Sequence, residues 1–278
     1  MSQSKLCPFC RGLNSVGERR CYRCGRPLPG PLASGVLGFF QSSFSGENSL
    51  TRLFVGACLV VFALCFASEH RLPLWQDQFA LSTTLRFGGI WFALAPSQPW
   101  RYFSAIFVHA NLMHVALNCF FLVSIGSSAE REFGKARFAL LFLLSGALGF
   151  AASGAWGGSM ASSQGSSGAV FGLFGAVVGA AYARRDPNWK QLLAQNVVWI
   201  LIISLISSGA DNAAHFGGLL SGAAIAYLFG KEPRKPNLTA TFAVLAVLLV
   251  AVSLAGVALS AASPIWRVLK AQELGQLY

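Results

Sequence analysis

Seven apolar stretches, separated by short polar connections, constrain the fold of this chain more than any other feature. They cover residues 53–68, 112–128, 137–155, 167–183, 192–207, 213–229 and 238–262. A helix that crosses the hydrocarbon core of a bilayer needs about 20 residues, and about 17 suffice. Only 11% of the residues are charged, whereas a soluble domain carries about 25%. We therefore expect an all-α polytopic membrane protein with seven spans.

The first 50 residues differ from the rest because they are polar and rich in turn-forming residues. We divide the chain into a small module at residues 1–30, a linker at 31–50, a membrane core at 51–230 and, at 231–278, a further helix with an external tail. No apolar stretch followed by a small-residue cleavage site lies near Met1. A cytosolic N-terminus is therefore expected.

The long connection between the first two apolar stretches, residues 69–111, is rich in aromatic residues and too irregular for a simple span. Tryptophan prefers the interface between a bilayer and water. We expect this segment to be a loop that lies partly among the lipid headgroups. Its tryptophans are Trp75, Trp91 and Trp100.

The positive charge of the chain follows the expected membrane topology. With a cytosolic N-terminus, 16 of the 21 Lys and Arg residues fall on the inner side and 5 on the outer side. Cytoplasmic loops carry an excess of these residues, so the distribution favours an external C-terminus. The cysteine-rich N-terminus and the lack of a transit peptide fit a bacterial inner membrane, with an organellar membrane as the alternative. Since topology accounts for most of the net charge of +11, nucleic-acid binding is disfavoured.

Four of the seven cysteines form two Cys-x-x-Cys pairs near the N-terminus, Cys7 with Cys10 and Cys21 with Cys24. Two such pairs can supply four thiolates in a tetrahedral arrangement, which is a ligand set of structural Zn²⁺ sites. A module this small has little hydrophobic core, so metal binding would supply its folding free energy. A redox dithiol or two disulfides are the alternatives. A closed site of this kind favours a structural role or the binding of a cytosolic protein.

Three polar side chains are expected at one depth in the membrane. Ser167, His215 and His114 each begin an apolar stretch that runs from outside to inside, and each lies 16 or 17 residues ahead of a charged residue at the inner end. At 1.5 Å per residue, this separation is about 25 Å. The charged markers are Glu130, Arg184 and Lys231. Polar groups within membrane spans are costly and are candidates for function.

Small residues provide a way to bring these side chains together. Ser167 is followed by Gly168 and Gly172, which are four residues apart. His215 is followed by Gly218 and Gly222, which have the same spacing. Glycines at this spacing allow two helix backbones to approach closely in lipid. Packing alone would also explain the glycines, and each polar residue by itself could be structural.

The predicted cluster supports acyl transfer. His215 would take a proton from the Ser167 hydroxyl, which is a weak nucleophile without an adjacent base. The oxyanion would be stabilised by the Ser167 backbone amide, with the side chains of His114 and Asn118 as further donors. His114 and Asn118 are four residues apart and so share one face of their helix. We expect no cofactor for this chemistry.

These residues resemble motifs of the rhomboid family of intramembrane serine proteases. The resemblance covers about residues 50–230 and implies a six-helix core, to which the last apolar stretch adds a seventh helix. The matching pieces are Pro99 to Phe103, His109 through His114 to Asn118 with Gly126 and Glu130, Gly165 to Gly168, Arg184 to Pro187, and Ala214-His215 with Gly218 and Gly222.

The resemblance implies a Ser167–His215 dyad that lacks an acidic third member. It assigns an oxyanion hole to His114, Asn118 and the Ser167 amide, a structural role to Trp100 and Arg101, and transmembrane proteins as substrates. Two positions depart from the family pattern, because Ser166 replaces the usual alanine and Phe171 replaces the commoner tyrosine. Neither Asp211 nor Asn212 is expected to complete a triad.

Two other functions compete with proteolysis. A rhomboid-like pseudoenzyme or membrane adaptor would bind client helices without cleaving them, although the intact Ser167 and His215 argue against it. Alternatively, the cysteine module would be the functional centre of a membrane-tethered protein that binds a cytosolic partner or nucleic acid.

Overall fold

The computed structural model describes residues 4–6, 12–15, 18, 20–25, 48–75, 77–206, 210–231 and 236–275. The chain divides into two compact units, residues 1–49 and residues 50–278. The described part of the second unit is almost entirely helical.

The N-terminal unit contains a small hairpin. Strand β1 (Ser4–Leu6) pairs antiparallel with β2 (Leu13–Ser15), and the buried Asn14 accepts a hydrogen bond of 3.1 Å from the backbone amide of Tyr22. Of the predicted zinc ligands, Cys21 is buried and Cys24 is exposed. Cys7 and Cys10 lie outside the described residues, which by themselves contain no cluster of metal-binding side chains. The zinc site therefore stays a prediction.

The second unit is built from long apolar helices with shorter helices at their ends. The helices are α1 (Ser49–Glu69), α2 (Leu81–Arg86), α3 (Arg101–Ser104), α4 (Leu112–Phe133), α5 (Lys135–Gly157), α6 (Ser167–Ala183), α7 (Trp189–Ile206), α8 (Asn212–Lys231), α9 (Pro236–Ala262) and α10 (Ile265–Gly275). Two short strands, β3 (Ile90–Trp91) and β4 (Ser162–Ser163), pair antiparallel. The thiols of Cys58, Cys65 and Cys119 form no disulfides.

Five of the helices in the described chain are long and apolar enough to cross a membrane, namely α1, α4, α5, α8 and the part of α9 from Ala240. This finding makes the protein a mostly helical, multi-pass membrane protein. The described residues of all seven predicted apolar stretches lie in helices, but α6 and α7 are not among these five. Helix α6 has 17 residues, so at 1.5 Å per residue it is about 25 Å long.

Helix α6 packs against α8 with no large side chain between the two backbones. An added Cβ at Gly218 would overlap the carbonyl oxygen of Gly168, and one at Gly222 would overlap that of Gly172. At Gly179, it would overlap the carbonyl oxygen of Ala223 on α8. The small-residue stripes predicted from the sequence thus face each other across α6 and α8. This close approach sets the positions of the N-terminal ends of both helices.

The connection between α1 and α4 is an ordered structure around a buried arginine. The side chain of Arg101 is 0% exposed. It donates from Nε to Gln98 Oε1 at 2.7 Å, and from one terminal nitrogen to the carbonyl oxygens of Leu85 at 2.9 Å and Gly89 at 2.6 Å. These bonds offset part of the cost of burying a charged group, although the second terminal nitrogen has no hydrogen-bond partner among the described residues. Arg101 therefore fixes the path of this connection, which contains α2, β3 and α3.

The segment predicted as an external tail contains helix α10, which contacts α2. Glu273 accepts hydrogen bonds from the backbone amide of Ser82 at 3.1 Å and from its hydroxyl at 2.5 Å. Arg86 lies 4.6 Å from the ring centre of Trp266. The N-cap residue of α2, Ala80, makes no side-chain cap, so Glu273 supplies the missing acceptor from another helix.

Replacing Gly222 by valine is expected to destabilise the fold by about 3 kcal/mol, because the new side chain must displace the backbone of α6. Thermal unfolding of the purified protein in detergent measures the effect. Gly56→Val is the matched control, since a Cβ at Gly56 has no atom within 4 Å. Equal unfolding temperatures for the two variants would contradict the close packing.

Candidate active site

The structure brings Ser167 and His215 together. Ser167 is the first residue of α6, and His215 lies in the first turn of α8. The Ser167 hydroxyl and His215 Nε2 are 2.9 Å apart, within hydrogen-bond distance. The His215 side chain is buried. The centroids of its imidazole ring and of the Phe171 ring are 4.8 Å apart. A serine and a base in this geometry can form an activated nucleophile.

The other nitrogen of His215, Nδ1, has no hydrogen-bond partner within the described residues. Asp211 lies one turn earlier, but its carboxylate accepts from the hydroxyls of Ser153 and Ser163 and from the backbone amide of Ala214. The geometry is therefore that of a Ser–His pair, and it differs from a Ser-His-Asp arrangement, in which the acid holds the second imidazole nitrogen.

His114 lies against Gly165, two residues before Ser167. An added Cβ at Gly165 would be 2.6 Å from His114 Nε2, and the φ of +118° at this glycine strains any other residue. His114 Nδ1 lies 3.5 Å from the backbone amide of Ala110, which donates to it. An acceptor at Nδ1 leaves the proton of the neutral ring on Nε2. His114 can thus present an N–H donor beside the nucleophile.

Asn118 lies behind the cluster. Its Nδ2 donates to the carbonyl oxygen of His114 at 2.9 Å, and its Oδ1 accepts from the Ser166 hydroxyl at 3.2 Å. One proton of the Nδ2 amino group is left for a further bond. Asn118 lines the same cavity as Ser167 and His215. The four predicted site residues are therefore neighbours.

A residue without an assigned role, His109, holds the segment that precedes the nucleophile. Its Nδ1 is 3.2 Å from the carbonyl oxygen of Phe107, to which it can only donate. Burial and the neighbouring His114 lower the pKa of His109, so Nε2 is a neutral acceptor. Nε2 accepts from the Ser166 amide at 3.4 Å. In the sequence, the only indication of the contact between His109 and Ser166 is that His109 lies five residues before His114.

Ser166, the serine next to Ser167, is fully buried. Its hydroxyl lies near His109 and Asn118 rather than near His215. It therefore lacks both access to the cavity and contact with the candidate base.

The connection between α1 and α4 also shapes the site. The amide of Gly165 donates to the carbonyl oxygen of Ala105 at 2.9 Å, and β3 pairs with β4 just before Ser167. At the start of α4, Asn111 accepts from the His114 amide at 2.8 Å and donates to the carbonyl oxygen of Trp75 at 2.8 Å. The segments that carry Ser167 and His114 are thus tied to one ordered loop.

A cavity of about 230 Å³ opens onto the pair. Its lining joins the polar side chains of the site to aromatic side chains from four elements. The aromatic members are Trp75, Phe121, Phe171, Phe174 and Trp199. A pocket of this kind, apolar with a few convergent polar groups, is typical of a binding site for a peptide or small molecule.

The arrangement is suited to nucleophilic attack on a carbonyl group. Ser167 is at a helix N-terminus, where the first backbone N–H groups have no partner within the helix and the helix dipole favours negative charge. His114, which lines the same cavity, can supply a second donor from Nε2. A developing oxyanion would therefore find donors in place before the reaction starts.

Replacing Gly165 by alanine is expected to reduce labelling of Ser167 by a fluorophosphonate probe by about 100-fold, the effect of losing one oxyanion donor. The new methyl group would displace His114. Labelling rates of the purified protein test this prediction. The matched control is Gly158→Ala, at another glycine with positive φ but with no atom within 4 Å of its Cβ. Equal rates for both variants would contradict the assigned position of His114.

Comparisons with known proteins agree on one family. The model of the rhomboid domain matches residues 96–232. "Rhomboid protease GluP" of Bacillus subtilis is 32% identical over 183 residues, which cover 64% of this chain and 34% of that protein. "RHOMBOID-like protein 1" of Arabidopsis thaliana is 35% identical over 151 residues, or 49% of this chain and 36% of that protein.

"Rhomboid-type serine protease 2" of Emericella nidulans is 30% identical over 144 residues, which cover 50% of this chain and 28% of that protein. The chain thus spans about a third of the length of these three relatives. The match includes the segments that carry His114, Ser167 and His215. The chain is thus a homologue of the rhomboid proteases, and its residues 96–232 match the model of the rhomboid domain.

Proposed function

We propose that the protein is an intramembrane serine endopeptidase that cleaves other membrane proteins within or near their transmembrane helices. The observation that carries this proposal is the 2.9 Å contact between the Ser167 hydroxyl and His215 Nε2 at the end of a cavity. The names of the homologous proteases support the same reaction.

In the proposed mechanism, the Ser167 oxygen attacks the carbonyl carbon of the scissile peptide bond while its proton moves to His215 Nε2. The oxyanion accepts hydrogen bonds from the Ser167 amide and His114 Nε2, with Asn118 as a further donor. His215 then gives its proton to the leaving nitrogen, and the carbon–nitrogen bond breaks. A water molecule attacks the acyl-enzyme, its proton passing through His215, and restores the serine.

The preferred substrates would be helices that unwind easily near the outer face of the membrane. A helix in lipid keeps its carbonyl groups in internal hydrogen bonds, so it must open locally before cleavage. Glycine and proline weaken a helix and would make this opening less costly. We therefore propose substrates with Gly, Pro and small residues near the cleaved bond.

We also propose the membrane arrangement that the charge distribution favours. A core of six helices, α1 and α4 to α8, would be followed by α9 as a seventh span. The N-terminus would face the cytosol and the C-terminus the outside, in a bacterial inner membrane.

Replacing Ser167 by alanine is expected to abolish fluorophosphonate labelling and cleavage of a transmembrane substrate, because no other hydroxyl contacts His215 among the described residues. Labelling and substrate cleavage by purified protein in detergent provide the measurement. Ser166→Ala is the control on the neighbouring residue, and it should retain labelling.

This experiment also separates the protease from a rhomboid-like pseudoenzyme that binds client helices without cleaving them. A wild-type protein that binds a transmembrane peptide but is neither labelled nor able to cleave it would favour the pseudoenzyme. Labelling that survives Ser167→Ala would refute the assigned nucleophile.

For the N-terminal module, we propose a structural Zn²⁺ held by the four cysteines Cys7, Cys10, Cys21 and Cys24. The spacing of the two Cys-x-x-Cys pairs carries this proposal. The bound module would serve as a docking unit for a cytosolic protein and takes no part in the reaction.

Metal analysis of the full-length protein, purified under reducing conditions, is expected to give one zinc per chain. Zinc should be lost in Cys21→Ser, which removes one thiolate of the set. Cys119→Ser is the matched control, because this cysteine lies in helix α4. A wild-type protein without stoichiometric zinc would refute the site.

A further inference from the structure

A second contact, between Ser163 and Asp211, lies near the reacting pair. Ser163 on β4 is four residues before Ser167, and Asp211 is four residues before His215. The Ser163 hydroxyl donates to Asp211 Oδ2 at 2.6 Å. The segments that carry the nucleophile and the base are thus joined at two points.

The carboxylate of Asp211 connects three elements. Besides Ser163 on β4, its Oδ2 accepts from the hydroxyl of Ser153 on α5 at 2.5 Å. Its Oδ1 accepts from the backbone amide of Ala214 at 2.9 Å, and this bond makes Asp211 the N-cap of α8. Asp211 therefore fixes the start of α8, and with it His215, relative to β4, which leads to Ser167.

The charge of this carboxylate is not neutralised by a salt bridge in the part of the chain that the structure describes. Its three hydrogen-bond partners are two hydroxyls and one amide, all uncharged. Asp211 also lines the cavity with His215. A negative charge one helical turn away favours the imidazolium form that His215 takes during the reaction.

We propose that Asp211 is a positioning residue for both Ser167 and His215. Its carboxylate holds β4 and α8 together so that hydroxyl and imidazole meet at reacting distance, and its charge stabilises the protonated base. Asp211 acts through its neighbours and does not bond to His215 Nδ1. This inference rests on the proposed proteolytic function.

The test compares Asp211→Asn with variants of its two serine partners. Asparagine retains the shape and can still cap α8, but it loses the charge and one carboxylate oxygen. Ser163→Ala and Ser153→Ala each remove one donor. The matched control is Asp186→Asn, because Asp186 also accepts a backbone amide before a helix, that of Asn188 at 2.9 Å.

Cleavage of a transmembrane substrate by purified protein gives kcat and KM, with active sites counted by fluorophosphonate titration so that unfolded molecules do not contribute. We expect Asp211→Asn to lower kcat per active site by about 100-fold, the cost of a small misplacement of reacting groups. KM should change by less than about two-fold, because the loss falls on the transition state. Ser163→Ala should lower kcat more than Ser153→Ala, since only Ser163 belongs to the segment that leads to Ser167.

A kcat per active site for Asp211→Asn within about two-fold of the wild type would overturn the proposal. A change confined to KM would also overturn it and would make Asp211 a substrate contact. If Asp211→Asn does not fold, an unchanged kcat in Ser163→Ala overturns the proposal and a lowered one supports it. A wild-type protein that neither labels nor cleaves refutes the proposed function itself, and this inference with it.

Discussion

The close contact between α6 and α8 is the interaction on which the rest of the structure depends. Glycines at Gly168, Gly172, Gly218 and Gly222 leave the two backbones in contact, so no side chain separates the helices. The distance between their N-terminal ends is then fixed by the backbones themselves. Since hydrophobic burial does not drive association within lipid, such packing contacts are a main source of stability.

A membrane protein must also satisfy its buried polar groups without bulk water, and in this chain a few side chains with several hydrogen bonds each contribute to that. Arg101 binds the carbonyl groups of the loop between α1 and α4. Glu130 accepts from the amides of Leu50 and Thr51 and so caps α1. Asp211 has the same role beside the site. Each of these groups forms several hydrogen bonds and ties distant segments together.

Much of this arrangement follows from the sequence, because a membrane restricts the choices. Apolar length predicts the helices, and charge distribution with helix rise predicts a common depth for Ser167 and His215, which the structure places 2.9 Å apart. Length and composition identify five of the seven predicted spans in the described chain, since α6 is short and polar residues such as Lys190 and Gln191 begin α7, so the other two spans stay predictions.

Contacts made by irregular segments were beyond sequence reasoning. The roles of His109 and Asp211 depend on the path of loops around β4, which no periodicity encodes. The sequence predicts a tail where helix α10 lies. Its contact with α2 is not visible in the sequence, because Glu273 and Ser82 are 191 residues apart. The cysteine module remains a prediction, as two of its four thiols lie outside the described residues.

The most direct test of the central claim is a crystal structure of the protein after reaction with a fluorophosphonate. The account predicts a covalent bond from phosphorus to the Ser167 oxygen, with the phosphoryl oxygen within hydrogen-bond distance of the Ser167 amide and His114 Nε2. An adduct on any other residue, or a phosphoryl oxygen directed away from both donors, would contradict it.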